Sequence, residues 1–600
     1  MQVCSAISIC WLSIFKIGFM KNIKHYLSGL LFLTHIYTVS GQPLQVVGTS
    51  PTGNFALAGS PITVNFNHPI NPQTIGPASF RAFGKWSGPA TGQFSFLEND
   101  MTVSFQPDEP FFAGEIVFVQ LSKAVASTSG EQLANPFAWG FLIKTAPGFL
   151  DQPLETTIEL RLPGEDYLQT YGAYAGDMNN DGYSDLVAVN ESSDDLRILL
   201  NDGTGSYPSF NVYDTGDNST PSPSEGADFN NDGEIDLVVT TAWDTEVRVL
   251  TGDGLGNFTN MDTYYTSNGV RGVVVGDFNG DGWDDMLTTN RLSGNISIFM
   301  NDGDGTFTAS GMDLPGEDET ACALVDANHD GILDVYYASF NSQMAGVLLG
   351  DGNGGFTLSG QMAVQGRPWM IGAGDLNGDG HPDLVCANSN SNKTAVLFGD
   401  GAGGLSQPTH YAPPNCLFPL AVDIGDIDGD GDLDFITSNY SSKNYTVFEN
   451  DGTGQFTMPV TLLAPKASSC AILHDRDNDG DLDITGTDEE ADVILLFKNP
   501  GEPSGIFEQQ IFTDMKLQAV PNPIYDQATV FFELPRRGEV EFSMFNAFGQ
   551  NVYSKAPTSF EAGKHTFQMG RLEMLPSGIY LLEARQGSFR SRHRILKVKR

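Results

Sequence analysis

The sequence predicts an all-β protein built around a ring of seven blades, and three observations predict it. A ten-residue acidic motif occurs seven times, its first aspartates separated by 51, 49, 49, 49, 51 and 49 residues. Between successive copies lie short apolar runs such as GVVV (272–275), LVAV (186–189) and ISIFM (296–300), bounded by Gly, Asp and Asn turns and without helical periodicity. Four such strands in a period of about 50 residues match one propeller blade, and seven blades close a ring.

The chain of 600 residues is too long for one compact domain, and its 40% hydrophobic and 11% aromatic content is enough to build several cores. A net charge of −43 argues against a nucleic-acid partner, because a polyanion would be repelled. The charge is uneven. Residues 1–41 contain Lys16, Lys21 and Lys24 and no acid, whereas residues 515–600 carry 13 Lys/Arg against 7 Asp/Glu.

Residues 1–41 read as an export signal, with Met20 as an alternative start: a basic beginning, an apolar stretch, and small residues near Ser40 and Gly41. The apolar run from Leu27 is interrupted by His35 and falls short of the roughly 20 residues a bilayer span requires. No integral membrane span is expected in the mature chain, which is placed outside the cytoplasm. The remaining cysteines, Cys322, Cys386, Cys416 and Cys470, are widely spaced and show no zinc or redox pattern, and their disulfide state stays open.

Residues 44–146 alternate apolar and polar positions between proline-marked turns, as in SPITVNFNHPI and IVFVQL, which predicts a β-sandwich.

The predicted seven-bladed propeller spans residues 152–513 and carries the acidic loops. Each has the form D-x-[D/N]-x-D-G-x-x-D, with oxygen-bearing side chains at positions 1, 3, 5 and 9. The candidate ligands are Asp177, Asn179, Asp181 and Asp185, then Asp228, Asn230, Asp232 and Asp236, then Asp277, Asn279, Asp281 and Asp285. The middle loops supply Asp326, Asn328, Asp330 and Asp334, and Asp375, Asn377, Asp379 and Asp383. The last two supply Asp426, Asp428, Asp430 and Asp434, and Asp475, Asp477, Asp479 and Asp483. Position 7, for example Trp283, adds a backbone carbonyl. Hard oxygen donors in this number suit Ca²⁺ and exclude zinc or copper. An EF-hand is excluded too, because position 12 is Ala188, Val239, Thr288, Tyr337, Cys386, Thr437 or Gly486 where a bidentate Glu is required. Up to seven structural Ca²⁺ ions are expected.

Closing the ring requires a strand shared between the ends of the repeat region. TTIELRLPGED (156–166), whose LPGED recurs at 314–318, and IFEQQIF (506–512) compete for that place, and residues 156–162 are favoured. Residues 515–600 read as a further small β-sandwich with a basic tail.

The repeats resemble the FG-GAP/VCBS repeats of integrin alpha-subunit propellers and of many bacterial secreted proteins, on the strength of the GDxNxDGxxDL core. The resemblance implies that the calcium loops join the first and second strands of each blade at one rim, and that ligands meet the opposite face. That face would then include Trp243, after a second strand, and Arg271, Arg367 and Trp369, before first strands. Residues 44–146 resemble bacterial Ig-like domains of the SbsA type through Pro61 to Phe66, Phe111 to Gly114 and Trp139 to Thr145, which implies a spacer or presentation module. Residues 515–600 are similar to the type IX secretion sorting domain of Bacteroidetes through Pro521-Asn522-Pro523, Phe548-Gly549-Gln550, Leu575 to Tyr580 and Lys597-Val598-Lys599. That similarity implies the type IX machinery as a partner, passage through the periplasm and a secreted or cell-surface product.

No GxSxG, HExxH, P-loop or dinucleotide fingerprint is present, and His329, His381 and His474 lie in or beside the acidic loops. The expected function is adhesion to, or recognition of, a glycan or extracellular protein without catalysis. The alternative is a polysaccharide-active lyase or hydrolase, which would need titratable groups converging outside the loops.

Overall fold

The computed structural model describes residues 42–313, 318–501 and, between 517 and 599, all but short stretches. The export signal (1–41), LPGE (314–317), the competing strand 506–512 and the motifs 521–523 and 548–550 lie outside the described residues. The described residues up to Ala146 together with Leu150–Lys498 form one compact unit. Pro147–Phe149 and the described residues from Asn499 onward form the second.

The first module is a sandwich of two sheets. Its strands alternate as the sequence predicts: ITVNF (Ile62–Phe66) buries Ile62, Val64 and Phe66, and IVFVQL (Ile116–Leu121) buries Val117, Val119 and Leu121.

Seven four-stranded antiparallel sheets follow. Their innermost strands are Thr170–Gly176, Pro221–Ala227, Val270–Gly276, Glu319–Val325, Pro368–Gly374, Pro419–Gly425 and Ser468–His474. Each touches the next, and the first touches the seventh, so the sheets form a closed ring. Second strands such as Asp185–Asn190 and Asp285–Asn290 are buried at every position. They lie between neighbouring blades on both faces, which explains the continuous apolar runs in place of alternation.

Six blades use four consecutive strands. The seventh takes its outer strand from Leu154–Glu159, which pairs antiparallel with Val493–Phe497, Ile158 opposite Ile494. The closing strand therefore begins two residues before the favoured 156–162 and stops three residues short of its end. Glu155 reaches the Arg476 guanidinium at 2.9 Å, a second tie between the two ends. The thiols of Cys322, Cys386, Cys416 and Cys470 are all free.

The first module is not a free spacer. It lies across the rim that carries the acidic loops and hydrogen-bonds all seven. Trp86 O accepts from Asp177 N–H at 2.7 Å, Arg81 donates to Asp228 O at 3.4 Å, and Lys123 N–H donates to Gly280 O at 2.8 Å. Ala138 N–H donates to Gly331 O and Ala146 N–H to Gly480 O, both at 2.6 Å. Asn54 donates to Asp375 O at 3.3 Å and the Thr145 hydroxyl to Asp426 Oδ2 at 2.9 Å. Arg81 also grips Asp284 with two nitrogens, at 2.9 and 2.7 Å.

One turn of the module, 84–88, enters the axis of the ring. Lys85 Nζ stands 3.5 Å from Asp423 there, at one end of a cavity of about 360 Å³ that Glu225, Cys322 and Cys470 also line. Glu115, fully buried, holds this turn by accepting N–H bonds from Trp86, Ser87 and Phe112 and the Ser87 hydroxyl. Glu115→Ala leaves the buried N–H groups of Trp86 and Phe112 and the half-buried one of Ser87 without an acceptor. It is expected to cost roughly 3 kcal/mol or more in chemical denaturation, and a loss near zero would mean that another group replaces the carboxylate.

In the second unit, a three-stranded sheet (Gln518–Val520, Ala528–Leu534, Gly563–Met569) and a four-stranded sheet (Gly538–Asn546, Asn551–Phe560, Gly578–Gln586, Phe589–Lys597) enclose a core that includes Val530, Phe542 and Leu582. This is the small β-sandwich expected.

Candidate metal loops and the opposite face

Each acidic loop joins a first to a second strand, and a strand pair closes it at its base. In the third blade Gly276 pairs with Asp285, so the loop begins at Asp277 and ends on its own ninth residue. The side chains then draw the backbone inward. Asp277 Oδ1 accepts N–H bonds from Gly280 and Asp281, and Asp277 Oδ2 accepts from Gly282 at 2.8 Å. Asn279 Oδ1 accepts from Asp281 N–H at 2.8 Å, and Asp281 Oδ1 from Trp283 N–H at 3.0 Å.

Two positions per loop are left-handed: Gly280 (φ 77°) and Gly282 (φ 93°) here, Asn180 (φ 56°) and Gly182 (φ 83°) in the first loop. A side chain at Gly282 would also strike the Ala78 carbonyl, 2.1 Å from the Cβ position. The conserved-looking glycine at position 6 and the Gly, Asn or His at position 4 thus follow from backbone geometry.

The ninth aspartate has a second duty. Asp285 Oδ2 accepts from Phe278 N–H at 3.0 Å and Oδ1 from Asn301 N–H at 2.8 Å, which bolts the loop to the turn after the third strand. Asp185, Asp236, Asp334, Asp383 and Asp434 make the same pair of bonds. These bonds use one lone pair of each oxygen and leave the second for an ion.

Burial pushes the carboxylates up. Asp177, Asp228, Asp277, Asp326 and Asp426 rise to about 6, and Asp285 and Asp434 to about 8. Such a site favours a cation over empty, mutually repelling carboxylates. Three carboxylates converge within 4.8 Å in two loops, Asp426–Asp428–Asp430 and Asp475–Asp477–Asp479. In the last loop the Lys498 ammonium contacts Asp477 and stands 3.9 Å from Asp479, a positive charge that no other loop carries on its third- and fifth-position side chains among the described ion pairs.

The rim opposite the loops has a different chemistry. The sixth residue before each loop's first aspartate reads Tyr171, Ser222, Arg271, Thr320, Trp369, Leu420 and Ser469 around the ring. The sixth after each ninth aspartate reads Glu191, Ala242, Arg291, Phe340, Ser389, Tyr440 and Glu489. Arg271 and Trp369 lie inside first strands near their beginnings, not before them as expected, while Arg367 and Trp243 sit in the connections.

Arg271 is buried. It pairs with Glu191 at 2.7 Å, and its guanidinium stands 5.1 Å from the Tyr171 ring, 5.5 Å from Trp243 and 5.8 Å from Trp369. Arg291 stacks on Phe340 and Trp369, both at 4.8 Å, and Arg367 on Phe340 at 5.1 Å. The Trp369 indole N–H donates to the Tyr171 hydroxyl. Phe418 and Tyr440 extend the aromatic belt, and Trp243 is 58% exposed. The sequence reading missed Arg291, Phe340, Tyr171 and Glu191. Their signal is the repeat register itself, visible once the seven copies are aligned on their aspartates.

The FG-GAP-like repeat profile matches residues 177–239, 228–288, 277–337, 326–386, 375–437 and 426–486, more than half of the chain. The protein belongs to the FG-GAP-like repeat family. Its first module matches the bacterial Ig-like domain over residues 40–142, and residues 518–598 match the secretion system C-terminal sorting domain. The sorting domain marks this FG-GAP protein as secreted or cell-surface and points to the type IX secretion machinery. Among the described residues no helix is long and apolar enough to cross a membrane.

No curated protein matches the chain. Solved structures similar to it include a protein from Lactobacillus plantarum (14% identity, 65% of this chain, 97% of that one, TM-score 0.40). Others are a functionally unknown protein from Desulfotomaculum acetoxidans (13%, 63% and 98%, TM-score 0.37) and a periplasmic gluconolactonase from Pseudomonas aeruginosa (16%, 59% and 98%, TM-score 0.32).

The loops of this FG-GAP protein fit a hard divalent cation by their donor chemistry. Asp477 Oδ1 is buried and accepts no hydrogen bond, which leaves its lone pairs open to an ion. Position 3 is Asn in five loops, and there its amide donates to the fifth-position carboxylate, for example Asn179 to Asp181 at 2.9 Å.

Proposed function

We propose that this FG-GAP protein is a calcium-stabilised recognition propeller, released from the cell or displayed on its surface, that binds a glycan or extracellular protein through the face opposite its loops. Calcium is structural here: it offsets repulsion among carboxylates that form loops and does not meet the ligand. The observation that carries the reading is the division of the two faces. The Ig-like module covers the loop rim at all seven loops, while the other rim presents an aromatic belt interleaved with arginines, the residue types that anchor interfaces.

Catalysis would need reactive groups at that rim, and Arg271, Glu191 and Tyr171 do converge there. Their chemistry is that of a brace. Glu191 neutralises Arg271, and burial pushes the Tyr171 hydroxyl up to about 12, too high for a general base. Binding is therefore the better reading.

The test is a glycan and matrix-protein array probed with and without EDTA. Ligand is expected to be retained in calcium and lost on chelation, with Trp243→Ala weakening retention about tenfold or more. Cleavage of an arrayed polysaccharide without retention would sink the recognition reading in favour of an enzyme.

A further inference from the structure

Three guanidiniums crowd the opposite face, and their charges are unequally compensated. Arg271 has Glu191. Neither Arg291 nor Arg367 forms an ion pair among the described residues, and the Arg291 Nε is buried without a hydrogen-bond partner. Asp318 is near enough to attract Arg291, but its carboxylate takes the Asn341 amide. Burial and the neighbouring Arg271 and Arg367 charges depress the affinity of Arg291 for its proton, the sign of a site short of negative charge. Like charges gathered on the same two rings, Phe340 and Trp369, repel one another unless an anion joins them.

We propose that this face binds a glycan carrying an isolated acidic sugar, its anionic group meeting Arg291 and Arg367 and a neighbouring sugar ring stacking on Trp243. The inference rests on the recognition reading and specifies its ligand. Planar guanidinium groups match carboxylate or sulfate oxygens in pairs. The half-exposed indole beside Arg271 supplies a flat apolar face for the ring. The acid is isolated rather than repeated, because the net charge of −43 repels a continuous polyanion and leaves room only for the charge that two uncompensated arginines can take.

The experiment is calorimetric titration of the full, calcium-loaded chain with four probes. These are a neutral cello-oligosaccharide, the same oligosaccharide bearing one glucuronate, the same bearing one 6-sulfate, and an oligoglutamate peptide. The glucuronate or sulfate form is expected to bind roughly tenfold or more tighter than the neutral form, and the stronger of the two identifies the anion. Arg291→Gln with Arg367→Gln is expected to erase that difference between the acidic and neutral forms. Arg367→Glu, at an exposed position that does not hold the blade together, is expected to do the same with unaltered melting.

Equal affinity for neutral and acidic sugars, unaffected by Arg367→Glu, overturns the anionic assignment and leaves glycan recognition standing. Tighter binding of oligoglutamate than of either acidic sugar overturns the glycan assignment in favour of an acidic protein. Failure of all four probes to bind the folded chain overturns this inference outright.

Discussion

Chelation with EDTA is expected to lower the unfolding temperature of the calcium-equilibrated protein by roughly 10 °C or more. A site held at a hundred times its dissociation constant contributes roughly 2.7 kcal/mol, so three occupied loops already supply about 8 kcal/mol. The pH dependence of the stripped protein gives a second reading with a definite sign. In the fold Asp177, Asp228, Asp277, Asp326 and Asp426 sit at about 6, and Asp285 and Asp434 at about 8. An unfolded chain returns them to about 4. Between those values the folded state binds more protons than the unfolded one, so stability falls as pH rises. The EDTA-treated protein should therefore melt higher at about pH 5 than at about pH 8. The calcium-loaded protein should show the reverse, because protons compete with the ion for the same oxygens. Differential scanning calorimetry in both states at both pH values decides the matter. A melting temperature indifferent to EDTA would refute the calcium reading of the loops.

Removing the closing strand is expected to abolish the ring. A chain beginning at Leu150 loses the Ig-like module but keeps Leu154–Glu159, whereas one beginning at Leu160 loses both. Without that strand, Val493–Phe497 becomes a bare edge, although every one of its residues is buried in the closed ring. An unpaired, wholly apolar strand edge is a template for association. The ties from Arg476 to Glu155 and from Arg161 to Asp492 place further burden on the same junction. The chain from Leu150 is expected to unfold in one cooperative transition and sediment as a monomer. The chain from Leu160 is expected to aggregate or to show no cooperative transition. Identical cooperative unfolding of the two would mean that the seventh blade stands without its outer strand.

Much of the architecture was legible because its determinants are local. The Asp, Asn and Gly offsets of each loop are read directly by the backbone: side chains at positions 1, 3 and 5 accept N–H bonds from residues two to five places on, within one loop. The alternation in Ile62–Phe66 and the continuous apolar run in Asp285–Asn290 likewise report how many faces of each strand are covered. Even the closing strand was legible to within three residues, since a ring of four-stranded sheets lacks one strand when counted from its first loop.

What was not legible depends on residues far apart in the chain. Nothing in Trp86, Arg81 or Gln120 announces that the Ig-like module caps the loop rim, because their partners Asp177, Asp228, Asp284 and Asp277 lie far beyond any local window of the chain. Arg271 was expected in a connection and stands within a strand, because the strand begins two residues earlier than its apolar run.

By itself, then, the sequence determined the all-β class and the repeat, which follow from spacing within about 50 residues, and the secretory tail through its resemblance to a known sorting domain. Only the tertiary structure decided which rim is covered, where the ring is tied, and that Arg271, Arg291 and Arg367 share two aromatic rings. The physical reason is closure. A ring brings equivalent positions of different blades to one axis, so side chains that are separate in every local window become neighbours whose charges must be balanced together.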